Sequence, residues 1–410
     1  MPDLDRGLAA LRDELRAAMP MPDVDSVARR HRDRRIRRRT VIGAIVAVVV
    51  VSVAVPVLRQ LEPIPPTGTS PPTVGGSSSV PFINRVRFTD GGHGYAVRAL
   101  SPDGKPPNEA TLLASDDLTT WEEIGTIPKP EPAAELGHLT HFMVLGPDEI
   151  ALDWDTFGIG GPEKTRMYSD DGGRTWRHVP VPATVTDVVP AIPEGAELQP
   201  GCPRPWDCRT STFAVVRPGS GTSAVLADPP PLRNVVPGAV PTADGYWWVV
   251  GQPPGAEGWA LAVSADDGRT WTTSPVIFPA TERGQWWVVS RDGVLYASVH
   301  AEAGSGEPGL LGIYRSDDGG RTWEQTWSRS KHKDLAGYFG TLIAAADGTL
   351  IVSAPDEAYT SADGGRTMVP REPRGAVVSW SRLGYIAITE RGYELSTDGL
   401  EWRRYEIPLE

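Results

Sequence analysis

The 410-residue sequence predicts an all-β protein: a seven-bladed β-propeller, preceded by one transmembrane helix and a short cytosolic helix. Three observations predict the propeller. An eight-residue pattern, S-x-D-x-G-x-T-W, repeats along the chain. The spacing of its copies leaves one double-length gap, which a blade without the pattern fills. Apolar runs such as Trp247-Trp248-Val249-Val250 and Trp286-Trp287-Val288-Val289 put large side chains on both faces of a strand, because neighbouring strand residues face opposite ways. Both faces must then be buried, as they are between adjacent blades.

The repeat takes precedence over every other signal, since a fixed period identifies a repeat architecture. Full copies carry Ser169, Asp171, Gly173 and Trp176; Ser264, Asp266, Gly268 and Trp271; and Ser316, Asp318, Gly320 and Trp323. A further copy with Ser361, Asp363 and Gly365 ends in Met368 in place of Trp. Two shortened copies, S-x-D-x-x-x-W, carry Ser115, Asp117 and Trp121, and Ser396, Asp398 and Trp402. A short apolar or aromatic run precedes each full copy, and a strand-like run begins at its Trp. The Ser/Asp/Gly cluster between them is a hairpin turn. Gly supplies positive φ without a Cβ penalty, Asp and Ser accept hydrogen bonds from turn amides, and the Trp packs against the next strand or blade. On this reading Trp176, Trp271 and Trp323 are largely buried.

These residues resemble Asp boxes, also called bacterial neuraminidase repeats, which occur in sialidases, in sortilin-type receptors and in propellers without known catalysis. The resemblance covers residues 81–410. It implies a propeller whose boxes form the turns between the third and fourth strands of each blade, remote from any active centre. It implies little about function, because one fold hosts many.

The N-terminal region is of a different kind. Residues 1–40 hold 11 Arg against 7 Asp and Glu, a charge of +4, so the rest of the chain carries −16 of the total −12. An acidic body argues against nucleic acid as partner, which needs a basic face. Leu4, Leu8, Leu11 and Leu15 share one face of a short helix. Such a helix could dock a cytosolic partner of residues 1–40, although an isolated helix this short is marginal in water. A faint similarity links this stub to the cytosolic tails of bacterial membrane proteins tied to sigma-factor regulation.

Eight Arg fall within residues 29–39, and Val41–Leu58 is an uncharged apolar stretch of 18 residues. That length just spans a hydrocarbon core of roughly 30 Å. Arg before the span and an acidic body after it place the N-terminus in the cytoplasm and the propeller outside, on a single-pass anchor. A cleaved signal is the rival reading, with a twin-arginine variant at Arg38-Arg39, but no small-x-small cleavage site follows. Residues 59–80 are a Pro/Gly/Ser linker.

From Phe82 onward the strands group into blades of four. Ser169 to Ser264 is about twice the usual interval of roughly 35 to 55 residues, so a blade without a box occupies about 183–234, with strands at Thr212–Val216 and Ser223–Ala227. The total is seven blades, within the usual range. That third blade also holds the only two cysteines, Cys202 and Cys208. Outside the cytoplasm so close a pair reads as a loop-pinning disulfide. No cofactor is implied, and no Cys or His cluster completes a metal site.

Three functions compete. The first is a non-catalytic binding or scaffold module for an extracytoplasmic protein or glycan. The second is an exo-alpha-sialidase-like glycoside hydrolase, as the resemblance would allow. That family holds a carboxylate with three arginines and uses a Tyr paired with an acid as nucleophile. Arg85 or Arg87 could be the first arginine, although the family's R-I-P motif is absent, and Tyr385 or Tyr393 stands where its Tyr is expected. The third is a transmembrane sensor that signals through the cytosolic stub.

Overall fold

The computed structural model describes residues 80–409, except 90, 102–108, 131–137, 159–160, 182–183, 201–212, 279–283, 302–308, 332–340, 355–356, 374–377 and 390. All described residues fall within one compact unit. The expected cytosolic stub at 1–40, the apolar span 41–58, all but the last residue of the expected linker, and Cys202 and Cys208 lie outside them. No helix among the described residues is long and apolar enough to cross a membrane.

The described residues form seven four-stranded sheets, the blades of an all-β propeller. Blade one is β1 (Val80–Phe88), β2 (Gly94–Ser101), β3 (Glu109–Ser115) and β4 (Glu122–Thr126). Blade two is β5 (His138–Val144), β6 (Ile150–Gly158), β7 (Gly161–Ser169) and β8 (Arg177–Val179). Blade three draws on β9 (Val188–Val189), β10 (Glu197–Pro200), β11 (Phe213–Val216) and β12 (Ser223–Leu226). Blade four is β13 (Arg233–Pro237), β14 (Trp247–Gln252), β15 (Ala260–Ser264) and β16 (Thr272–Thr273). Blade five is β17 (Gly284–Arg291), β18 (Val294–Ala301), β19 (Gly309–Ser316) and β20 (Glu324–Ser328). Blade six is β21 (Thr341–Ala344), β22 (Leu350–Ser353), β23 (Ala358–Ser361) and β24 (Val369–Arg371). Blade seven is β25 (Val378–Ser381), β26 (Gly384–Thr389), β27 (Gly392–Ser396) and β28 (Arg403–Glu406).

Six blades are antiparallel meanders in sequence order. Blade three is not. Its order is β10-β11-β12-β9, with β9 parallel to β12. The reason is local. Asp228-Pro229-Pro230-Pro231 follows β12, and three prolines can neither turn back as a box nor donate to a ladder. The outer edge is instead covered by a strand that precedes the blade in the chain. Its β11–β12 turn also reaches the box end of blade two. There Arg177 donates to the Ser220 carbonyl at 3.0 Å, and Glu149 accepts from Gly219 N at 2.7 Å.

The core lies between blades. Trp247 and Val249 pack with blade three's Leu198, Val215 and Leu226. Their neighbours Trp248 and Val250 pack with blade five's Trp286, Val288 and Val299. This alternation is what the continuous apolar runs require. Ring closure needs no exchanged strand, since blades one and seven each consist of contiguous chain. They meet through β1 against β26 and through Tyr393, which packs edge-on against Phe88 (5.5 Å between centroids) and Trp121 (6.1 Å).

At the axis, blade seven reaches across. Trp380 Nε1 donates to the Pro241 carbonyl of blade four at 2.8 Å, and Arg382 donates to the Ala196 carbonyl of blade three at 2.7 Å.

Candidate functional site

Six box turns join the third and fourth strands of their blades. In the second box, Ser169 Oγ donates to Asp171 at 2.8 Å and accepts from Gly173 N at 2.8 Å. Asp171 in turn accepts from Thr175 N (2.8 Å) and Thr175 Oγ1 (2.6 Å). The same set recurs at Ser264/Asp266/Gly268/Thr270 and at Ser316/Asp318/Gly320/Thr322. Ser361 and Gly365 repeat the serine bonds, and Asp363 holds Thr367 N at 2.8 Å. In the shortened copies Asp117 caps Thr119 and Thr120, and Asp398 caps Leu400 and Glu401. Hydrogen bonds from Thr175 hold the Asp171 carboxyl down to about 2, and those from Thr322 do the same for Asp318. Each of these carboxylates accepts three hydrogen bonds from its own turn.

Each box glycine lets its turn lie flat on the preceding blade. A Cβ on Gly173 would come within 2.2 Å of Leu112, and one on Gly320 within 2.4 Å of Val263. In the first box the equivalent position is Leu118, a leucine held at φ 66° and buried. Its backbone carbonyl accepts from Tyr393 of blade seven at 3.0 Å, which places this position at the closing seam. The box tryptophans depart from the sequence expectation. Trp176, Trp271 and Trp323 are half-buried, each packed at the margin of a core cluster. Only Trp121, at the seam, is buried. The indole nitrogens of Trp121, Trp271, Trp323 and Trp402 donate back into their own turns.

Neither tyrosine nominated for chemistry stands in a cleft. Tyr385 Oη bonds Ala344 O at 3.0 Å and Ala344 N at 2.9 Å, and Tyr393 Oη donates to Leu118 O at 3.0 Å. Both are fully buried, and burial pushes both phenols well above the ordinary tyrosine value. They are struts between blades six and seven and between blades seven and one.

Arg85 and Arg87 do stand near the axis. Arg85 is buried and donates to the carbonyls of Leu139 (2.6 Å) and Thr140 (3.1 Å). Burial and the neighbouring Arg87 lower its pKa to about 10. Arg87 lies 3.8 Å from Glu197, and its Nη1 makes no hydrogen bond. Burial raises the Glu197 carboxyl against the pull of Arg87 and Arg382. Behind them Arg166 forms a two-point ion pair with Asp153 (2.6 and 2.9 Å) and also donates to Gly221 O, Ser223 and Gln199. His141 lies 4.0 Å from Asp153 with its Nδ1 shut off from solvent and unpaired. Burial holds its pKa down to about 4, against the pull of Asp153.

Above this group, at the box end, opens a cleft of about 290 Å³ lined by Thr89, Gly91, Val144, Leu145, Gly146, Pro147, Glu194, Gly195 and Arg382. The Gly172 N to Asp148 O bond, 2.8 Å, ties the second box to the same hairpin. Among the described residues no group of three His, Cys, Asp or Glu could hold a metal ion. Spacing along the chain could nominate Arg85 and Arg87. It had no means of finding Glu197 or Arg382, whose partners lie on other blades.

The BNR/Asp-box repeat family matches the chain at residues 167–178 and 314–325, within the second and fifth blades. These are BNR/Asp-box repeats on a seven-bladed β-propeller. No curated protein matches the sequence. Among solved structures the chain is similar to apo prolyl oligopeptidase B from Galerina marginata, with 12% identity, a TM-score of 0.47 and coverage of 78% of this chain and 48% of that one. It thus spans about half the length of that enzyme. It is similar to the Hadza microbial sialidase Hz136, with 14% identity, a TM-score of 0.36, and coverage of 80% and 65%. It is also similar to YCF48 bound to D1 peptide, with 16% identity, a TM-score of 0.33, and coverage of 78% and 99%. Likeness of this degree says nothing of activity.

Proposed function

We propose that this propeller is a non-catalytic binding module for a protein or glycan, held outside the cell by the apolar segment 41–58. One observation carries the reading. Both candidates for the single tyrosine that a sialidase-type mechanism would need, Tyr385 and Tyr393, are hydrogen-bonded to blade backbones and buried. Glycoside cleavage needs a nucleophile and an acid/base flanking the scissile bond, and the box carboxylates cannot serve because turn donors occupy them. The test is the purified protein with a fluorogenic sialoside from acid to neutral pH. No turnover is expected. Turnover that vanishes in Tyr385→Phe or Tyr393→Phe would overturn the reading.

The anchor rests on the Arg-rich run and the 18-residue apolar span that follows it. Protease added to intact cells is expected to remove the propeller while the N-terminal segment stays in the membrane fraction. A soluble mature chain beginning near residue 60 would show a cleaved signal instead.

A further inference from the structure

We propose that the junction between blades two and three is an acid latch. Protonation of His141 draws Asp153 away from Arg166, and blade three then parts from blade two while the other junctions stay closed. The inference goes beyond the binding reading and stands without it.

The first argument is what holds the junction. Among the described residues, blade three gives only Val216 to the apolar cluster it shares with blade two, where Met143, Leu145, Ala151 and Tyr168 meet it. Its larger side chains Leu198, Phe213, Val215 and Leu226 pack toward Trp247 and Val249 of blade four. Polar contacts hold the blade-two side. Arg166 of β7, buried, donates to three acceptors of blade three: Gly221 O and Ser223 Oγ at 3.0 Å, and Gln199 Oε1 at 2.9 Å. The bonds from Arg177 to Ser220 O and from Gly219 N to Glu149 lie at the exposed rim, where water competes for them.

The second argument is how Arg166 is itself held. Asp153 of β6, fully buried, accepts from its Nε at 2.6 Å and its Nη2 at 2.9 Å. Taking one partner from a buried ion pair leaves an uncompensated charge and is strongly destabilising. Arg166 thus keeps its reach into blade three while both oxygens of Asp153 stay with it.

The third is a competitor for that carboxylate. His141 of β5 stands with Nδ1 4.0 Å from Asp153 Oδ2, the oxygen that Arg166 Nη2 uses. Nδ1 is shut off from solvent, while the residue as a whole is half-buried and within reach of protons. The other charged groups facing it are cations: Lys164 of β7, and Arg85 and Arg87 of β1. A neutral ring tolerates this setting. An imidazolium donates at both nitrogens, so it must either take Asp153 Oδ2 from Arg166 or remain a charge among charges of its own sign. Both outcomes work against the closed junction. Burial, and then these cations, hold the His141 pKa down to about 4 against the pull of Asp153. Opening returns the ring to water and to its ordinary value near 6.5, so falling pH favours the open form.

The experiment is hydrogen exchange of the intact protein, read by mass spectrometry from pH 7 to pH 5 and corrected for the intrinsic pH dependence of exchange. Local opening appears as lost protection in the strands that flank it. β7, β11 and the turn at 217–222 are expected to lose about tenfold in protection over that range, with blades five and six unchanged. His141→Gln, neutral at every pH, should keep the protection seen at pH 7 and abolish the loss. His141→Arg, charged at every pH, should show the open pattern already at pH 7. If thermal melts show that variant unfolded, the native and His141→Gln proteins decide the question alone. Protection lost evenly over all blades would overturn the proposal, because that is global unfolding. So would a loss at the junction that persists in His141→Gln.

Discussion

Tyr393 of the last blade donates its hydroxyl to the backbone carbonyl of Leu118 in the first, across 275 residues of chain, at 3.0 Å. The same carbonyl accepts from the Trp121 indole at 3.2 Å. Blades one and seven share no strand, so this bond and the aromatic ring cluster around it hold the propeller shut. Leu118 holds a left-handed conformation at the position where the last box has Gly399.

Tyr393→Phe should therefore destabilise the protein by about 1 kcal/mol, the worth of one buried neutral hydrogen bond. Urea denaturation measures it. A change within error would mean that the aromatic packing alone closes the ring.

Two glycines with similar backbones separate strain from packing. Gly173 (φ 89°) and Gly348 (φ 86°) both disfavour a side chain, but only Gly173 has a neighbour, Leu112, in the way. Gly348→Ala should cost about 1 kcal/mol, and Gly173→Ala about 3 kcal/mol once overpacking is added to strain. Equal losses in thermal melts would show that the box does not press on the preceding blade.

The box tryptophans should not be equivalent. Trp121→Ala removes a buried ring and should cost about 3–5 kcal/mol. Trp323→Ala removes a half-buried one and should cost about half as much. Denaturant midpoints for the two variants check the ordering.

Acid should act in two stages. A half-buried His141 whose Nδ1 is shut off from solvent and that protonates only near 4 binds fewer protons than its unfolded counterpart, so stability falls as pH drops from about 6.5 to about 4. Asp171, Asp318 and Asp363, held down to about 2 by their turn donors, keep their contribution above about 3.9 and lose it as pH falls toward 2. His141→Gln should abolish the first slope in urea midpoints and leave the second. A single slope below pH 4 in the native protein would contradict the assignment.

Much of the fold was legible in the sequence because its signals are local. A box is complete within eight residues, and strand alternation within four, so the box turns and the blade number could be read directly, and the box position between third and fourth strands followed from the Asp-box resemblance. The chain also marked blade three as different, by a doubled interval. It did not reveal that Val188–Val189 would close that blade's outer edge ahead of the strands it joins. That pairing depends on what three prolines forbid on the far side of β12. The charged axis was less legible still. Arg87, Glu197 and Arg382 come from blades one, three and seven, and no short pattern links them. Trp176, Trp271 and Trp323 were expected to be buried because tryptophan usually is. They sit instead half-buried at the margins of the core clusters between blades.

Leu118 also bears on how the protein is made. Blade one leaves the ribosome first, with Phe88, Leu118 and Trp121 presented on a finished sheet. Their cover, Tyr393, is 275 residues behind Leu118, on the order of half a minute at ordinary synthesis rates. For that interval the nascent chain displays an apolar face shaped for a seventh blade. Any seventh blade fits it, and chains emerging side by side must choose between closing their own ring and closing a neighbour's.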